Sequence, residues 1–311
     1  MTSLLCIGEG MLELRPQQAR QFKCGYAGDT LNAAIYAKRI NPDLTVSFLT
    51  GIGQDPYSAD FITFCQQESL NTKLLLTSKT ANLGIYAIAT DDAGERSFYY
   101  WRKGSAATQL MNLIDEYGGK EAIDVPSMVF FSGLALGFLS DGDKPRLLQL
   151  IEYFKDKGSQ IAFDPNYRPM LWKSPAHTIE WLNFAYEVSD LILPGLDEHQ
   201  VLFGHQTAEE VAEYMSRFEF DELIIKCGDE GVKGYDKTGL VHHQPFNPAP
   251  TQIDSTAAGD SFAGTYLAKR LCHCSMAEGM KQADSVARFV VQHSGAIVDG
   301  GIFQRFLETD N

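Results

Sequence analysis

The sequence predicts an α/β protein: a doubly wound, mostly parallel sheet flanked by helices, with a small β-sheet lid. Three observations lead there. Short runs bounded by turn signals, most of them apolar on both faces, fit strands covered by helices on both sides. Helix-period stretches alternate with these runs, and such alternation builds a parallel sheet through right-handed crossovers, with ligands bound beyond the carboxyl ends of the strands. One region breaks the rhythm with period-2 alternation, as a one-sided antiparallel flap does.

In chain order, residues 4–8 form the first strand and 11–24 add to the lid. A helix over 29–40, a strand over 45–50 and a helix over 58–67 follow. Residues 84–90 and 95–102 form the flap, joined by the hairpin signal Asp91-Asp92-Ala93-Gly94. Strands at 128–132, 160–164, 191–194 and 222–226 then alternate with helices at 144–157, 177–188 and 208–217, and a helix at 259–271 follows. No repeat or low-complexity linker interrupts the chain, so residues 1–311 read as a single domain with its lid at about 11–24 and 84–102.

With 44% apolar and 21% charged residues in 311, the chain can bury a sizeable core, which excludes wholesale disorder, a fibre or a small disulfide scaffold. A net charge of −14 argues against a nucleic-acid partner, which needs clustered Lys and Arg. Any anionic substrate must then be met by local positive sites. The apolar stretch 128–139 is broken by Ser and Gly and falls short of the roughly 20 residues of a membrane helix. The run 4–7 lacks the positive flank and the length of a signal peptide. Cysteines 6, 24, 65, 227, 272 and 274 show no paired spacing, and Cys272-His273-Cys274 lacks a second ligand pair for zinc. These features are expected of a protein of the reducing cytoplasm with no dedicated metal site.

Candidate chemistry concentrates in Asp254-Ser255-Thr256-Ala257-Ala258-Gly259-Asp260, where small residues end at an aspartate and an apolar helix pattern follows. A helix starting near Gly259 leaves backbone N–H groups free at its positive end, an anion site. A carboxylate beside a bound phosphate needs another task, and accepting a hydroxyl proton during phosphoryl transfer is one. An ordinary helix start carries the same pattern, so spacing alone leaves both readings open. Gly8-Glu9-Gly10 begins like a dinucleotide fingerprint, but Glu13 stands at the third glycine and no helix follows at once. Glu9 and Glu13 are assigned to one edge of the ligand site or to structural ion pairs.

The Asp254–Asp260 run resembles the C-terminal motif of the ribokinase-like (pfkB) family of sugar kinases, with Ala257 in place of the commoner first glycine. Tyr26-Ala27-Gly28-Asp29-Thr30-Leu31-Asn32-Ala33-Ala34 resembles the family's N-terminal motif, and Lys226-Cys227-Gly228-Asp229-Glu230-Gly231 its nucleotide loop. The resemblance implies an ATP-dependent kinase with Asp260 as catalytic base and an anion hole at Ala257, Ala258 and Gly259. It places Asn166, Arg168, Lys226, Gly228, Gly231 and Asp284 at the nucleotide together with the anion-hole residues. The family's Asn-x-x-Glu motif reads Gly195-Leu196-Asp197-Glu198, which leaves only Glu198 of the pair. Mg²⁺ is expected to arrive on ATP, because the transfer needs its charge. Relatives pair through their lids, and a homo-oligomer is expected here.

Residues 94–102, Gly-Glu-Arg-Ser-Phe-Tyr-Tyr-Trp-Arg, and 163–172, Phe-Asp-Pro-Asn-Tyr-Arg-Pro-Met-Leu-Trp, resemble the branch of that family acting on 2-keto-3-deoxy sugar acids. The implied substrate residues are Gly28, Asp29, Thr30, Leu31, Asn32, Tyr86, Tyr100, Arg102 and Arg168, and the implied reaction is phosphorylation at the C6 hydroxyl. Independently, Asp29 and Asn32 are three apart on a helix and share a face suited to hydroxyls. Tyr100 and Arg102, two apart on a strand, emerge on one side, where a guanidinium beside phenols suits a carboxylate. The rival readings are a kinase of a neutral ketose such as fructose, a non-catalytic sugar-acid sensor on the same fold, and an NAD-linked oxidoreductase.

Overall fold

A computed structural model describes residues 2–17, 21–90 and 96–309. Its strands are β1 (Ser3–Ile7), β2 (Met11–Pro16), β3 (Phe22–Ala27), β4 (Thr45–Ile52), β5 (Leu75–Thr77), β6 (Gly84–Thr90), β7 (Arg96–Trp101), β8 (Met128–Ser132), β9 (Gln160–Asp164), β10 (Leu191–Ile192), β11 (Glu222–Lys226), β12 (Val232–Asp236) and β13 (Gly239–Gln244). Nine of them form one sheet in the order β13-β12-β11-β10-β9-β8-β1-β4-β5, and β3-β2-β6-β7 form a second. The large sheet is parallel from β5 to β11, while β12 and β13 continue it antiparallel at one edge.

The continuous apolar runs sit where that sheet is covered on both faces. Leu4, Leu5, Cys6 and Ile7 on β1 and Met128, Val129, Phe130 and Phe131 on β8 are all buried. From β1 the chain moves outward to β4 and β5, then returns to lay β8 on β1's other side. That reversal opens a crevice at the carboxyl ends of β1 and β8, where open α/β sheets bind ligands.

The small sheet departs from the expected antiparallel flap, because β2 and β6 pair in parallel. The chain builds β4 and β5 between them, and strands joined by so long a connection can align in the same direction. Alternation sorts its faces: Tyr86 and Ile88 are buried, whereas Tyr99 and Trp101 are 56% and 63% exposed. The expected hairpin signal at 91–94 lies outside the described residues.

Other differences have local causes. The helix Pro56–Gln67 begins earlier than expected, because the Asp55 carboxylate accepts from the N–H groups of Tyr57 and Ser58 and Pro56 fits a helix's first turn. Ser174 does the same for Pro175–Val188 by accepting from the His177 N–H. β5 is three residues long, too short for a periodic signal.

Helix Asp29–Ile40 crosses helix Ala258–Leu271 closely enough that a Cβ on Gly264 would stand 2.1 Å from the Ala33 carbonyl oxygen. The obstacle is backbone, so a larger residue must push the helices apart. Gly264→Ala is expected to lower the unfolding free energy by about 1–3 kcal/mol, read from urea denaturation. An unchanged midpoint would mean that the helices can separate freely.

Candidate active site

The N-terminal ends of these two helices meet the ends of β9 and β11 at one place. Asn32, on the first turn of helix Asp29–Ile40, donates from Nδ2 to Asp260 Oδ2 at 2.8 Å, and its Oδ1 accepts the Gly28 N–H at 3.4 Å. The amide orientation is thereby set, and Asp260 is held from one side. Asp260 itself lies in the first turn of its helix, whose N-cap is Ala257.

The anion-binding potential of that helix start is partly used by the loop. The Ala258 N–H donates to the Ser255 carbonyl at 3.2 Å, and the first carbonyl taken up along the helix is that of Ala257, by Ser261. Among the described residues, the N–H groups of Ala257, Gly259 and Asp260 have no backbone acceptor. A Cβ placed on Gly259 would meet nothing within 4 Å, because that position faces the adjoining cavity.

A second set of contacts runs through the loop after β9. Asn166, with a left-handed φ of 37°, donates from Nδ2 to Asp29 Oδ2 at 3.1 Å, while its own N–H reaches Asp164 Oδ1 at 3.1 Å. Asn tolerates this backbone region better than most residues. Lys226 Nζ closes on Asp164 Oδ2 at 2.7 Å. Glu198 accepts the Tyr167 N–H at 2.8 Å and the Gly195 N–H at 3.0 Å, so it braces this loop with no asparagine at position 195.

The electrostatics follow from this crowding. Burial, then the Asp29 and Asp164 carboxylates, push Asp260 up to about 7 against the opposing Asn32 hydrogen bond and Arg168 charge. Burial pulls the Lys226 ammonium down, but Asp164 and Glu198 outweigh it and its pKa rises. Burial also pushes the Glu198 carboxyl up.

Three cavities converge here. A nucleotide-sized one of about 570 Å³ is lined by Asp164, Asn166, Glu198, Lys226, Gly228 and Gly259, among others. A small one of about 80 Å³ lies between Gly28, Asp29, Asn32, Tyr86, Tyr100 and Asp260. An open cleft of about 1140 Å³ runs under Ser97, Phe98 and Tyr100 toward residues 252–256. Arg168 and Thr256 line all three, and Asn166 and Asp260 line both of the first two.

Not every expected residue reaches a cavity. Thr30 and Leu31 are fully buried, because their places on the first helical turn point into the molecule. Neither lines one of the three cavities, and the Thr30 hydroxyl has no hydrogen-bond partner among the described residues. Arg102 pairs with Glu9 at 2.5 Å, Glu9 also accepts from Ser105 at 2.5 Å, and the Arg102 guanidinium carbon lies 5.9 Å from the Tyr100 ring centre. The Tyr86 hydroxyl donates to Glu13. Gly231 has a φ of +87° and would bring a Cβ within 2.2 Å of the Gln244 carbonyl, so it shapes the nucleotide loop from behind. Asp284 lines a separate cavity of about 400 Å³ with Gln244, Lys281 and Arg288.

Sequence reasoning left Thr256, Asp164 and Asp254 without roles. Asp254 holds the loop by accepting from the Thr256 N–H and hydroxyl at 3.1 and 2.5 Å and from the Gly295 N–H at 2.7 Å. Its readable signal was the Asp-x-Thr spacing of an Asx-turn.

A titration of labelled carboxyl groups by NMR is expected to place the Asp260 midpoint near 7. Asn32→Ala removes a stabiliser of the anion and should raise it, whereas Asp29→Asn removes a repelling charge and should lower it. Shifts of the opposite sign would reject these causes.

Comparison with known proteins places the geometry in context. The profile described as pfkB family carbohydrate kinase matches residues 1–300. The 2-dehydro-3-deoxygluconokinase of Escherichia coli (strain K12) is 34% identical over 296 residues, covering 94% of this chain and 96% of that protein. The crystal structure of a 2-dehydro-3-deoxygluconokinase from Thermotoga maritima superposes with a TM-score of 0.84 at 18% identity, over 99% of this chain and 98% of that one. A Xylella fastidiosa fructokinase with bound ATP gives a TM-score of 0.83 at 20% identity, over 99% and 98%. At these identities the structural likenesses establish the fold.

Proposed function

The chain belongs to the pfkB family of carbohydrate kinases, and from that premise we propose that it phosphorylates 2-dehydro-3-deoxy-D-gluconate. The γ-phosphoryl group of ATP passes to the C6 hydroxyl, giving 2-dehydro-3-deoxy-6-phospho-D-gluconate and ADP. The observation that carries the reading is Asp260: a carboxylate with its pKa raised to about 7, set in the first turn of a helix and shared by a small cavity and a nucleotide-sized one. The 34% identity to an enzyme of this name over nearly the whole chain supports the choice of sugar.

ATP enters the larger cavity with its phosphates toward the unpaired N–H groups of Ala257, Gly259 and Asp260. Gly228 lets the backbone approach, and Lys226 keeps Asp164 neutralised at the rim. Mg²⁺ carried on the nucleotide would offset the phosphate charge there. Two of the carboxylates lining that cavity are already engaged, Asp164 by Lys226 and Glu198 by two backbone N–H groups, which fits an ion carried by ATP.

In the small cavity Asp29 and Asn32 meet sugar hydroxyls, and Asn32 leaves one Asp260 oxygen for the C6 hydroxyl. The hydroxyl proton moves to that oxygen as the phosphoryl group transfers, because a base with a pKa near 7 keeps a sizeable ionised fraction at neutral pH and is basic enough to accept it. Arg168, common to all three cavities, stands where the transferred charge passes. Tyr100 on the small sheet and Arg168 meet the acid's carboxylate from the cavity walls, and Arg102, just past β7, adds positive charge from behind Tyr100 while Glu9 holds its guanidinium. The small sheet acts as a lid that excludes water from the transfer.

The association state belongs to the same proposal. Phe22, Tyr99 and Trp101 expose 53%, 56% and 63% of their surface on the small sheet, which supports a homo-oligomer formed there. Sedimentation should show a dimer or larger species; a monomer at micromolar concentration would remove the idea.

The deciding experiment is ADP release with Mg·ATP on 2-dehydro-3-deoxygluconate, fructose and ribose. Saturable turnover confined to the keto-deoxy acid is expected, and Asp260→Asn should cut kcat by about 10²–10⁴-fold with both KM values little changed. Turnover on fructose alone would replace the substrate, and near-normal turnover in the variant would remove Asp260 as the base.

A further inference from the structure

The small sheet and the anion-binding loop come from distant parts of the chain, and a continuous line of polar contacts joins them. It begins at Tyr86 on β6, whose side chain lines the sugar cavity and whose hydroxyl donates to Glu13 on the neighbouring β2. Glu13 and Tyr86 are register partners, so the contact runs straight across the two strands. Two residues on, and hence on the same face, Arg15 pairs from Nε with the other Glu13 oxygen at 2.7 Å. Its Nη1 then leaves the sheet and donates to the Ser294 carbonyl at 3.1 Å.

Ser294 precedes Gly295, whose N–H donates to Asp254 Oδ2 at 2.7 Å, and Asp254 Oδ1 in turn holds Thr256. Gly295 has a φ of +92°, and a Cβ there would stand 2.0 Å from Arg15 Nη1, so the guanidinium occupies the space a side chain would take. Glu13 is buried, and the Arg15 side chain is 19% exposed. A buried carboxylate with its guanidinium is costly to separate. A shift of β2 must therefore carry the 294–295 segment with it or break the pair.

We propose that Glu13 and Arg15 are positioning residues that couple the seating of the small sheet over the sugar to the ordering of the Asp254–Thr256 phosphate loop. The inference rests on the function proposed above. Neither residue touches a reacting atom; each acts through the loop. Their work is to make occupancy of the sugar cavity felt at the nucleotide cavity, and by linkage the effect is reciprocal.

The test is calorimetric titration of a non-hydrolysable ATP analogue with Mg²⁺, with and without saturating 2-dehydro-3-deoxygluconate. In the natural protein the sugar acid is expected to tighten nucleotide binding by roughly 5-fold or more. Arg15→Met keeps the apolar stem and should reduce that factor to within about 2-fold of unity, with each ligand's affinity measured alone little changed. Arg15→Lys should restore part of the coupling. Should Arg15→Met fail to fold, Glu13→Gln provides the same test, since it keeps a partner for Tyr86 but removes the charge that holds Arg15. Undiminished coupling in the folded variant, or no coupling in the natural protein when both ligands bind, overturns the link alone. Absence of any sugar-acid binding overturns the substrate assignment and the link with it.

Discussion

The site depends on how closely two helices can approach. Gly264 lets helix Ala258–Leu271 lie against the backbone of helix Asp29–Ile40 at Ala33. Without that approach Asn32 could not reach Asp260 at 2.8 Å, nor would Asp29 sit near enough to help raise its pKa. A packing constraint about one helical turn along from Asp260 thus sets both the orientation and the basicity of the central carboxylate. The other contributors, the ends of β9 and β11, add charge to a frame that the helices have already established.

Several acidic groups share this small volume, and isolated buried carboxylates are expensive. The structure answers with complementary partners in place of bulk positive charge. Asp164 takes Lys226, Glu198 takes two backbone N–H groups, Asp29 takes the Asn166 amide, and Asp260 takes only the Asn32 amide. Asp29 and Asp260 each rest on a single amide, and of these two it is Asp260, the proposed proton acceptor, that lines both cavities. An overall charge of −14 is compatible with binding anions because the cations and free N–H groups that matter are local.

The parts legible in the sequence were those that local pattern controls. The central strands carry unbroken apolar runs, and the Asp254–Asp260 segment carries a small-residue loop before a helix. The missed elements are ones where tertiary packing overrides pattern. β12 reads Val-Lys-Gly-Tyr-Asp, and its Gly234 is tied to packing, since a Cβ there would strike Met276 Sδ at 2.5 Å. The parallel β2–β6 pairing depends on a connection that no local window sees. Thr30 and Leu31 lie inside a recognisable ligand motif, yet helical rotation turns them inward. The Arg102–Glu9 pair joins the residue just after β7 to the loop after β1, a meeting that spacing does not encode.

The contact between Asn32 and Asp260 spans 228 residues of sequence. On a ribosome adding about 5–20 residues per second, the first half of the site exists for on the order of 10–50 s before its partner is made. During that interval the emerging chain has Asn32 but neither the Asp254–Thr256 loop nor Asp260, the proposed base. Contacts of such long range also make folding slow. On the proposed assignment of Asp260 as base, the site is complete only when the last third of the polypeptide has docked.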